Sequence, residues 1–145
     1  MLKILNQETV TESLEKEVET LFKQLSPNKK QIPLQQLFRD SSNPLFFASF
    51  QDEGKIVGIA SMCIYSVISG KKGWIEDVVV DSSQRGKGIG KQLIEKLIAE
   101  GEKHNLTEIY LFTEDEKKAA IALYQKLGFQ RKQSQLYNLK ITSKP

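Results

Sequence analysis

The amino-acid sequence predicts an α+β fold, in which about four helices flank a mostly antiparallel mixed sheet of six or seven strands. Three observations carry this prediction. Extended apolar segments follow one another between residues 44 and 80 with only short turns between them, a pattern typical of an antiparallel meander. Helical periodicity precedes these segments and returns after them. A strand, a loop, a helix and another strand then follow in order, which predicts one parallel crossover.

The N-terminal part of the chain carries the signals of one short strand and two helices. The strand is predicted over LKIL. Thr9 and Glu12 have the spacing of a capping box at the start of the first helix, whose apolar residues recur at helical spacing. A shorter second helix is predicted over QIPLQQLFRDSSN (residues 31–43), with Pro33 in its first turn.

The meander and the crossover complete the predicted sheet. The meander strands are PLFFASFQ, KIVGIASMCIYSVI and WIEDVVV, joined by the turn residues DEG and SGKKG. TEIYLFT (residues 107–113) is apolar on both faces, which predicts a central buried strand. A last helix over residues 116–126 should begin with Thr113 and Glu116 as caps and end at a left-handed Gly128. One or two final strands are predicted in FQRKQSQLYNLKI. The crossover helix has one apolar face, formed by Leu93, Ile94, Leu97 and Ile98.

Length, charge and cysteine content narrow the class of protein. The 145 residues predict a single domain, residues 1–145. The net charge is only +3, which is far less positive charge than the dense basic stripe of a nucleic-acid-binding protein would require. The single cysteine, Cys63, is interpreted as a core residue and permits no intrachain disulfide, which favours a reducing compartment. No signal-peptide pattern or membrane-length apolar run occurs, so we expect a cytoplasmic protein without a membrane partner.

Three glycines and three cations stand where the crossover helix should begin, in the segment RGKGIGK. Glycine destabilises a helix, but it lets a ligand approach the unpaired N–H groups of a helix N-terminus, which suit a phosphate or pyrophosphate. The Rossmann fingerprint has a different glycine spacing, and a P-loop would have Ser or Thr where Gln92 stands. The predicted pyrophosphate site, called here the glycine loop (residues 85–91), consists of Arg85, Gly86, Lys87, Gly88, Ile89, Gly90 and Lys91.

The glycine loop resembles the Gln/Arg-x-x-Gly-x-Gly/Ala loop of the GNAT superfamily of acetyl-CoA-dependent N-acetyltransferases, with Arg85, Gly88 and Gly90 in the matching positions. AIALYQKLGF is similar to the Ala-x-x-Leu-Tyr-x-x-x-Gly-Phe segment of that superfamily, and the predicted order of elements agrees over nearly the whole chain. The resemblance implies the GNAT fold, acetyl-CoA as co-substrate bound through its pyrophosphate, and no metal.

The resemblance also implies roles for residues outside the loop. The backbone of Val78, Val79 and Val80 should pair with the pantetheine arm of the coenzyme, and one N–H there should face the thioester oxygen. Tyr124 should be the acid that protonates the leaving thiolate, although its helix face also fits a core tyrosine. Lys117 departs from the pattern, because family members often have Asn at that position.

A general base is predicted on the strand before the loop. Alternation places Glu76 on the strand face of Val78 and Val80, with Asp77 opposite. A carboxylate between Trp74 and the valines should have a raised pKa, which suits proton removal near neutral pH. Binding of the acceptor's ammonium by Glu76 or Asp77, and deprotonation by ordered water, remain alternatives.

The leading functional hypothesis is acetyl transfer from acetyl-CoA to the primary amine of a small molecule, by direct attack in a ternary complex. Acetylation of protein lysines or N-termini, and a non-catalytic coenzyme A-binding module, are the alternatives. Family resemblance also implies that the C-terminal strand is a candidate homodimer interface.

Overall fold

Five strands form one mixed sheet in the computed structural model, which describes residues 1–40, 42 and 44–141. Their order across the sheet is the same as their order along the chain. Neighbouring strands among the first four are antiparallel, whereas the fourth and fifth strands are parallel. The mostly antiparallel mixed sheet is confirmed, but five strands replace the predicted six or seven. The strands are β1 (Leu2–Leu5), β2 (Leu45–Asp52), β3 (Lys55–Val67), β4 (Gly70–Val80) and β5 (Glu108–Tyr110).

Four α-helices accompany the sheet in the described residues, in agreement with the prediction. A 3-10 turn, Ser82–Gln84, precedes the third of them. The second helix ends three residues earlier than its predicted limit at Asn43, and Ser41 and Asn43 lie outside the described residues. The helices are α1 (Glu12–Leu25), α2 (Leu34–Asp40), α3 (Ile89–Lys103) and α4 (Lys118–Lys126).

The start of α1 differs from the predicted capping box. Thr11 is the N-cap, and its side chain accepts a hydrogen bond from Leu14 N at 3.2 Å. Thr9 cannot cap this helix, because its hydroxyl accepts from Asn6 N and donates to Asn6 O in the preceding turn. The local turn therefore moves the helix start two residues along the chain.

The two faces of the sheet are covered by different helices. On one face, residues of α1 and α2 pack with residues of the strands in the main core cluster. Its buried members are Leu5, Val10, Val18, Leu21, Leu34, Phe47, Ile56, Ile59 and Val79. On the other face α3 packs closely, since a Cβ added at Gly58 would lie 2.8 Å from Ile89 and 3.0 Å from Leu93. Three of the four predicted core residues of α3 are fully buried: Leu93, Ile94 and Leu97.

Two predicted strands and one predicted core residue are wrong. β5 covers only three residues and lies at the edge of the described sheet, so TEIYLFT is not a central strand. Residues 129–141 form no strand: their apolar side chains from Leu136 to Ile141 are 64–87% exposed, so the alternating pattern is not buried against a core. Cys63 is exposed, because it lies on the α1 side of β3 beyond the core cluster.

The chain divides into two compact units, Met1–Phe112 and a second that begins at Thr113. The first contains all five strands and helices α1 to α3. The second contains α4, which starts at Lys118 without a side-chain cap, so the predicted Thr113 and Glu116 caps are wrong. This helix ends as predicted at Gly128, with φ of +96°, and the N–H of Phe129 donates to Tyr124 O at 3.0 Å.

Replacing the observed N-cap should destabilise the protein. Thr11→Ala removes the acceptor for Leu14 N, and we expect a loss of about 1 kcal/mol in the free energy of unfolding measured with urea. Thr20→Ala is the matched control, because Thr20 lies inside α1 and only donates back to Lys16 O. Alanine favours the helix there, so stability should not fall. Equal losses in both variants would contradict the assigned cap.

Candidate active site

A β-bulge interrupts β4 just before the glycine loop. Glu76 pairs with Ser61 and Val79 pairs with Ile59, so Asp77 and Val78 together lie opposite a single residue of β3. Asp77 has a φ of +56°, a left-handed conformation that is uncommon for residues other than glycine. An additional residue of this kind re-aims the neighbouring side chains, and such bulges are frequent beside active sites.

The bulge changes the face on which Glu76 lies. Directly paired residues on neighbouring strands share a face, and Ser61 and Ile59 are two residues apart on β3. Glu76 therefore shares a face with Val79, and its predicted alignment with Val78 and Val80 is wrong. Since Val79 belongs to the core cluster beneath α1, Glu76 lies on the α1 side of the sheet.

Both carboxyl groups at the bulge have raised pKa values. Both residues are exposed overall, but partial burial of the carboxyl group is the main cause for Glu76, and the negative charge of Asp77 adds to it. Burial also raises the pKa of Asp77. The ammonium of Lys29, in the connection between α1 and α2, opposes both rises. A carboxylate with a raised pKa is a better proton acceptor near neutral pH, as the sequence predicted for Glu76.

Aromatic side chains extend from this carboxylate pair along the same face. Trp74 precedes Glu76 by two residues, and its ring centroid lies 5.5 Å from that of Tyr110 and 6.3 Å from that of Phe112. The indole N–H of Trp74 favours the ionised carboxylate and so opposes the rise in the pKa of Glu76. Its Nε1 is buried, and it makes no hydrogen bond of normal geometry within the described residues. The site thus combines two acidic groups with an aromatic surface.

Cys63 lies beside the same group, opposite Trp74 in the β3–β4 ladder. Although the residue as a whole is exposed, partial burial of its thiol raises the pKa, and the charges of Glu76 and Asp77 raise it further. A thiol in this environment stays protonated at neutral pH and is a poor nucleophile. The prediction that Cys63 does not act as a nucleophile therefore agrees with its surroundings, although it is not a core residue.

The two strands β4 and β5 separate close to the carboxylate pair. They are paired only over residues 72–74 of β4, so residues 75–80 have no ladder partner on that side among the described strands. This stretch includes Val78, Val79 and Val80. Backbone groups along such an edge can pair with an extended ligand in the manner of an added strand.

The glycine loop follows β4 after Asp81 and the 3-10 turn Ser82–Gln84. Gly86 and Gly88 have φ values of +80° and +78°, and Gly88 is the N-cap of α3. A Cβ at either position would meet nothing within 4 Å. The unliganded chain therefore needs glycine there for backbone conformation rather than for internal packing.

The positive end of α3 and the cations of the loop lie together. The N-cap of α3 makes no side-chain hydrogen bond, and its first turn contains no acidic residue. Arg85 donates through Nε to Val80 O at 3.2 Å, Lys87 contacts Gln84 Oε1 at 2.7 Å, and Lys91 belongs to the first turn. The structure thus brings the predicted loop residues together in a form suited to an anion.

Two residues that sequence reasoning did not identify also contact the start of the loop. Asp81 Oδ1 accepts hydrogen bonds from Ser83 N at 2.8 Å and Ser83 Oγ at 2.6 Å. Gln24 contacts Asp81 and Ser82 from α1. The Asp-Ser-Ser sequence is a turn signal that could have indicated Asp81, whereas nothing near Gln24 indicates a contact with a segment almost sixty residues away.

The unit that begins at Thr113 contains the remaining predicted residues. Tyr124 is partly buried on α4, and its ring centroid lies 5.9 Å from that of Phe129. Burial raises the pKa of its phenol, which keeps the group protonated and able to donate. Lys117 is the exposed N-cap residue of α4.

The described residues contain neither a cluster of metal-binding side chains nor a membrane-spanning helix. No group of three or more His, Cys, Asp or Glu side chains there is arranged to hold a metal ion. None of the helices in the described ranges combines the length and apolarity that crossing a membrane would require.

Comparison with known proteins gives several relatives that are named as acetyltransferases. The chain is 38% identical over 89 residues to a glucosamine 6-phosphate N-acetyltransferase of Trypanosoma brucei brucei, covering 59% of this chain and 58% of that protein. It is 42% identical over 60 residues to N-alpha-acetyltransferase 30 of Saccharomyces cerevisiae, covering 41% of this chain and 34% of that protein. The structure of a Trypanosoma brucei acetyltransferase matches with a TM-score of 0.78 and 26% identity over 97% of this chain and 99% of that one.

The chain thus spans less than two thirds of the length of these two curated relatives. The family model described as Acetyltransferase (GNAT) family matches residues 12–129, which include β4, the glycine loop and α4. The match therefore covers the elements that carry the candidate site. These are β2 to β5 of the mixed sheet, the point where the pairing of β4 with β5 ends, and the loop at the start of α3. The chain belongs to the GNAT family of acetyltransferases.

Proposed function

We propose that the protein transfers acetyl from acetyl-CoA to the primary amine of a small molecule, by direct attack in a ternary complex. One observation carries this proposal: a single strand, β4, holds the carboxylate pair at its bulge and is joined to the glycine loop by one short 3-10 turn. A base for the amine and an anion site for the coenzyme are therefore fixed to the same rigid element.

The coenzyme is proposed to bind along the open edge of β4. Its pyrophosphate would accept hydrogen bonds from backbone N–H groups of the glycine loop, with Arg85, Lys87 and Lys91 supplying positive charge. Its pantetheine arm would pair with the backbone of residues 78–80, where β5 no longer pairs with β4. That arrangement would put the thioester near the bulge, and one N–H of the strand would stabilise the oxyanion.

The proposed reaction removes two protons from the acceptor's ammonium nitrogen and returns one to the sulfur of coenzyme A. Glu76, directly or through water, takes a proton from the acceptor's ammonium, and the neutral amine attacks the thioester carbon. The nitrogen of the tetrahedral intermediate gives its second proton to water, and the intermediate collapses with cleavage of the carbon–sulfur bond, which releases coenzyme A as a thiolate. Tyr124 donates its proton to that thiolate, a role supported by its motif and by its protonated state. The products are the N-acetylated acceptor and coenzyme A.

The charge around the bulge supports a cationic acceptor. The pKa values of both Glu76 and Asp77 are raised, and the positive charge of Lys29 lowers both without cancelling either rise. An ammonium group is favoured there, whereas a phosphate next to two carboxylates would be repelled. The Trypanosoma relative named for glucosamine 6-phosphate makes a phosphorylated amino sugar the comparison to test, and the yeast relative does the same for protein N-termini.

Release of free thiol from acetyl-CoA across a panel of acceptors tests the proposal. The panel should contain polyamines, amino sugars with and without a 6-phosphate, amino acids and peptides with a free α-amine. We expect release with an unphosphorylated small amine. Release with peptides alone would identify a protein acetyltransferase, and coenzyme binding without release for any acceptor would identify a non-catalytic module.

Coenzyme binding should depend on the conformation at Gly88. Gly88→Val forces a β-branched residue to φ near +78°, which distorts the loop, so the dissociation constant for acetyl-CoA should rise at least about tenfold in calorimetry. Gly54→Val is the matched control, because Gly54 has a φ of +77° and equally open surroundings in the β2–β3 turn. Unchanged affinity in a folded Gly88→Val protein would remove the phosphate-loop interpretation.

The phenol of Tyr124 should affect turnover rather than binding. Tyr124→Phe keeps the ring contact with Phe129 but removes the proton donor, so kcat should fall about a hundredfold while acetyl-CoA affinity is retained. Tyr137→Phe, at an exposed position, is the control and should behave as wild type. Wild-type turnover in Tyr124→Phe would assign the residue to packing.

The role of Glu76 should appear in the pH dependence of turnover. Because its pKa is raised, wild-type kcat should decline as the pH falls through that pKa and the base becomes protonated. Glu76→Gln removes the base, so its loss should be large at pH 7 and smaller at pH 9, where more of the amine is already neutral. Asp77→Asn is the comparison variant. A pH-independent loss confined to the acceptor KM would make Glu76 a binding group instead.

A further inference from the structure

Gln24 in the last turn of α1 contacts the segment that leads into the glycine loop. Its Nε2 donates to Asp81 Oδ2 at 3.3 Å, and its Oε1 accepts from Ser82 N at 3.1 Å. One side chain therefore uses both ends of its amide to join α1 to the two residues that follow β4. These are the residues from which the 3-10 turn Ser82–Gln84 begins.

Asp81 is held from three directions at this point. Its N–H donates to Val57 O at 2.8 Å, which fixes its backbone to β3. Its Oδ1 accepts the two hydrogen bonds from Ser83. Its Oδ2 is the oxygen that Gln24 contacts. The position of the turn therefore depends on α1 as well as on β3 and on the turn itself.

We propose that Gln24 is a positioning residue for the coenzyme site. By holding Asp81 and Ser82 against α1, it sets the direction in which the N–H groups of the following loop point. A loop with left-handed glycines at positions 86 and 88 has many alternative conformations, and ordering it upon binding costs free energy. A turn that is already held lowers this cost. The inference rests on the proposed pyrophosphate site.

A purely structural link would have different consequences. Both hydrogen bonds of Gln24 are exposed, so their loss should change the global stability little. If Gln24 acts on the loop, its removal should weaken only ligands that carry the pyrophosphate. S-acetylpantetheine contains the thioester and the pantetheine arm but no pyrophosphate, and it therefore separates the two possibilities.

The test compares Gln24→Ala with wild type on both ligands. Calorimetry should show an acetyl-CoA dissociation constant about fivefold higher, whereas kcat/KM with S-acetylpantetheine and the melting temperature stay unchanged. Gln31→Ala is the matched control, since Gln31 donates through its own side-chain amide to Glu19 O at 3.0 Å, away from the loop. Gln24→Glu should bind acetyl-CoA more weakly still, because it places a carboxylate against Asp81.

A double-mutant cycle gives the sharpest readout. If Gln24 acts through Asp81, then Gln24→Ala should add little to the loss caused by Asp81→Ala. Equal losses with acetyl-CoA and S-acetylpantetheine, or additive losses in the cycle, would overturn the proposal. Unchanged affinity in Gln24→Ala would overturn it while leaving the proposed function intact. Failure of wild type to bind acetyl-CoA at all would remove the proposed coenzyme site and this inference with it.

Discussion

The arrangement of the site depends on the bulge at Asp77 in β4. With regular alternation running back from Val79, Glu76 would lie on the α3 side of the sheet, opposite the fully buried Met62. A carboxylate there would be buried in an apolar contact without a partner, which costs several kcal/mol. The additional residue turns Glu76 to the α1 side, just beyond the core cluster, while Val79 stays within it. The left-handed Asp77 is the strained residue that makes this possible.

The separation of β4 from β5 has a matching physical logic. Pairing over residues 72–74 holds the two strands together beside Trp74, and this pairing ends before the bulge. Backbone N–H and C=O groups along an unpaired edge need hydrogen-bond partners, and an extended ligand can supply them as a further strand would. The 3-10 turn and the glycine loop connect this edge to the start of α3. A long ligand with an anionic group at one end therefore fits the geometry of strand, loop and helix taken together.

Local signals in the sequence were enough for the meander, the apolar face of α3, the left-handed Gly128 and the glycine loop, because each depends on residues close to one another along the chain. The bulge was missed, since nothing in IEDVVV distinguishes an additional residue from regular alternation. Cap spacing predicts Thr9 as the N-cap, because the competing turn at Asn6 cannot be inferred from that spacing. The alternating segment after residue 129 predicted a strand, but strand formation requires a partner, and no local pattern supplies one.

Three carboxyl groups within the stretch from Glu76 to Asp81 show how surroundings divide one residue type between roles. Burial raises the pKa of Glu76 and Asp77, so each gains by receiving a proton or pairing with a cation. Hydrogen bonds from the Ser83 hydroxyl and N–H lower the pKa of Asp81, so it stays ionised and anchors the turn. Its negative charge stands near a loop suited to anions, yet Ser83 and Gln24 engage its oxygens. The N–H groups at the start of α3 are thereby left for a ligand rather than for Asp81.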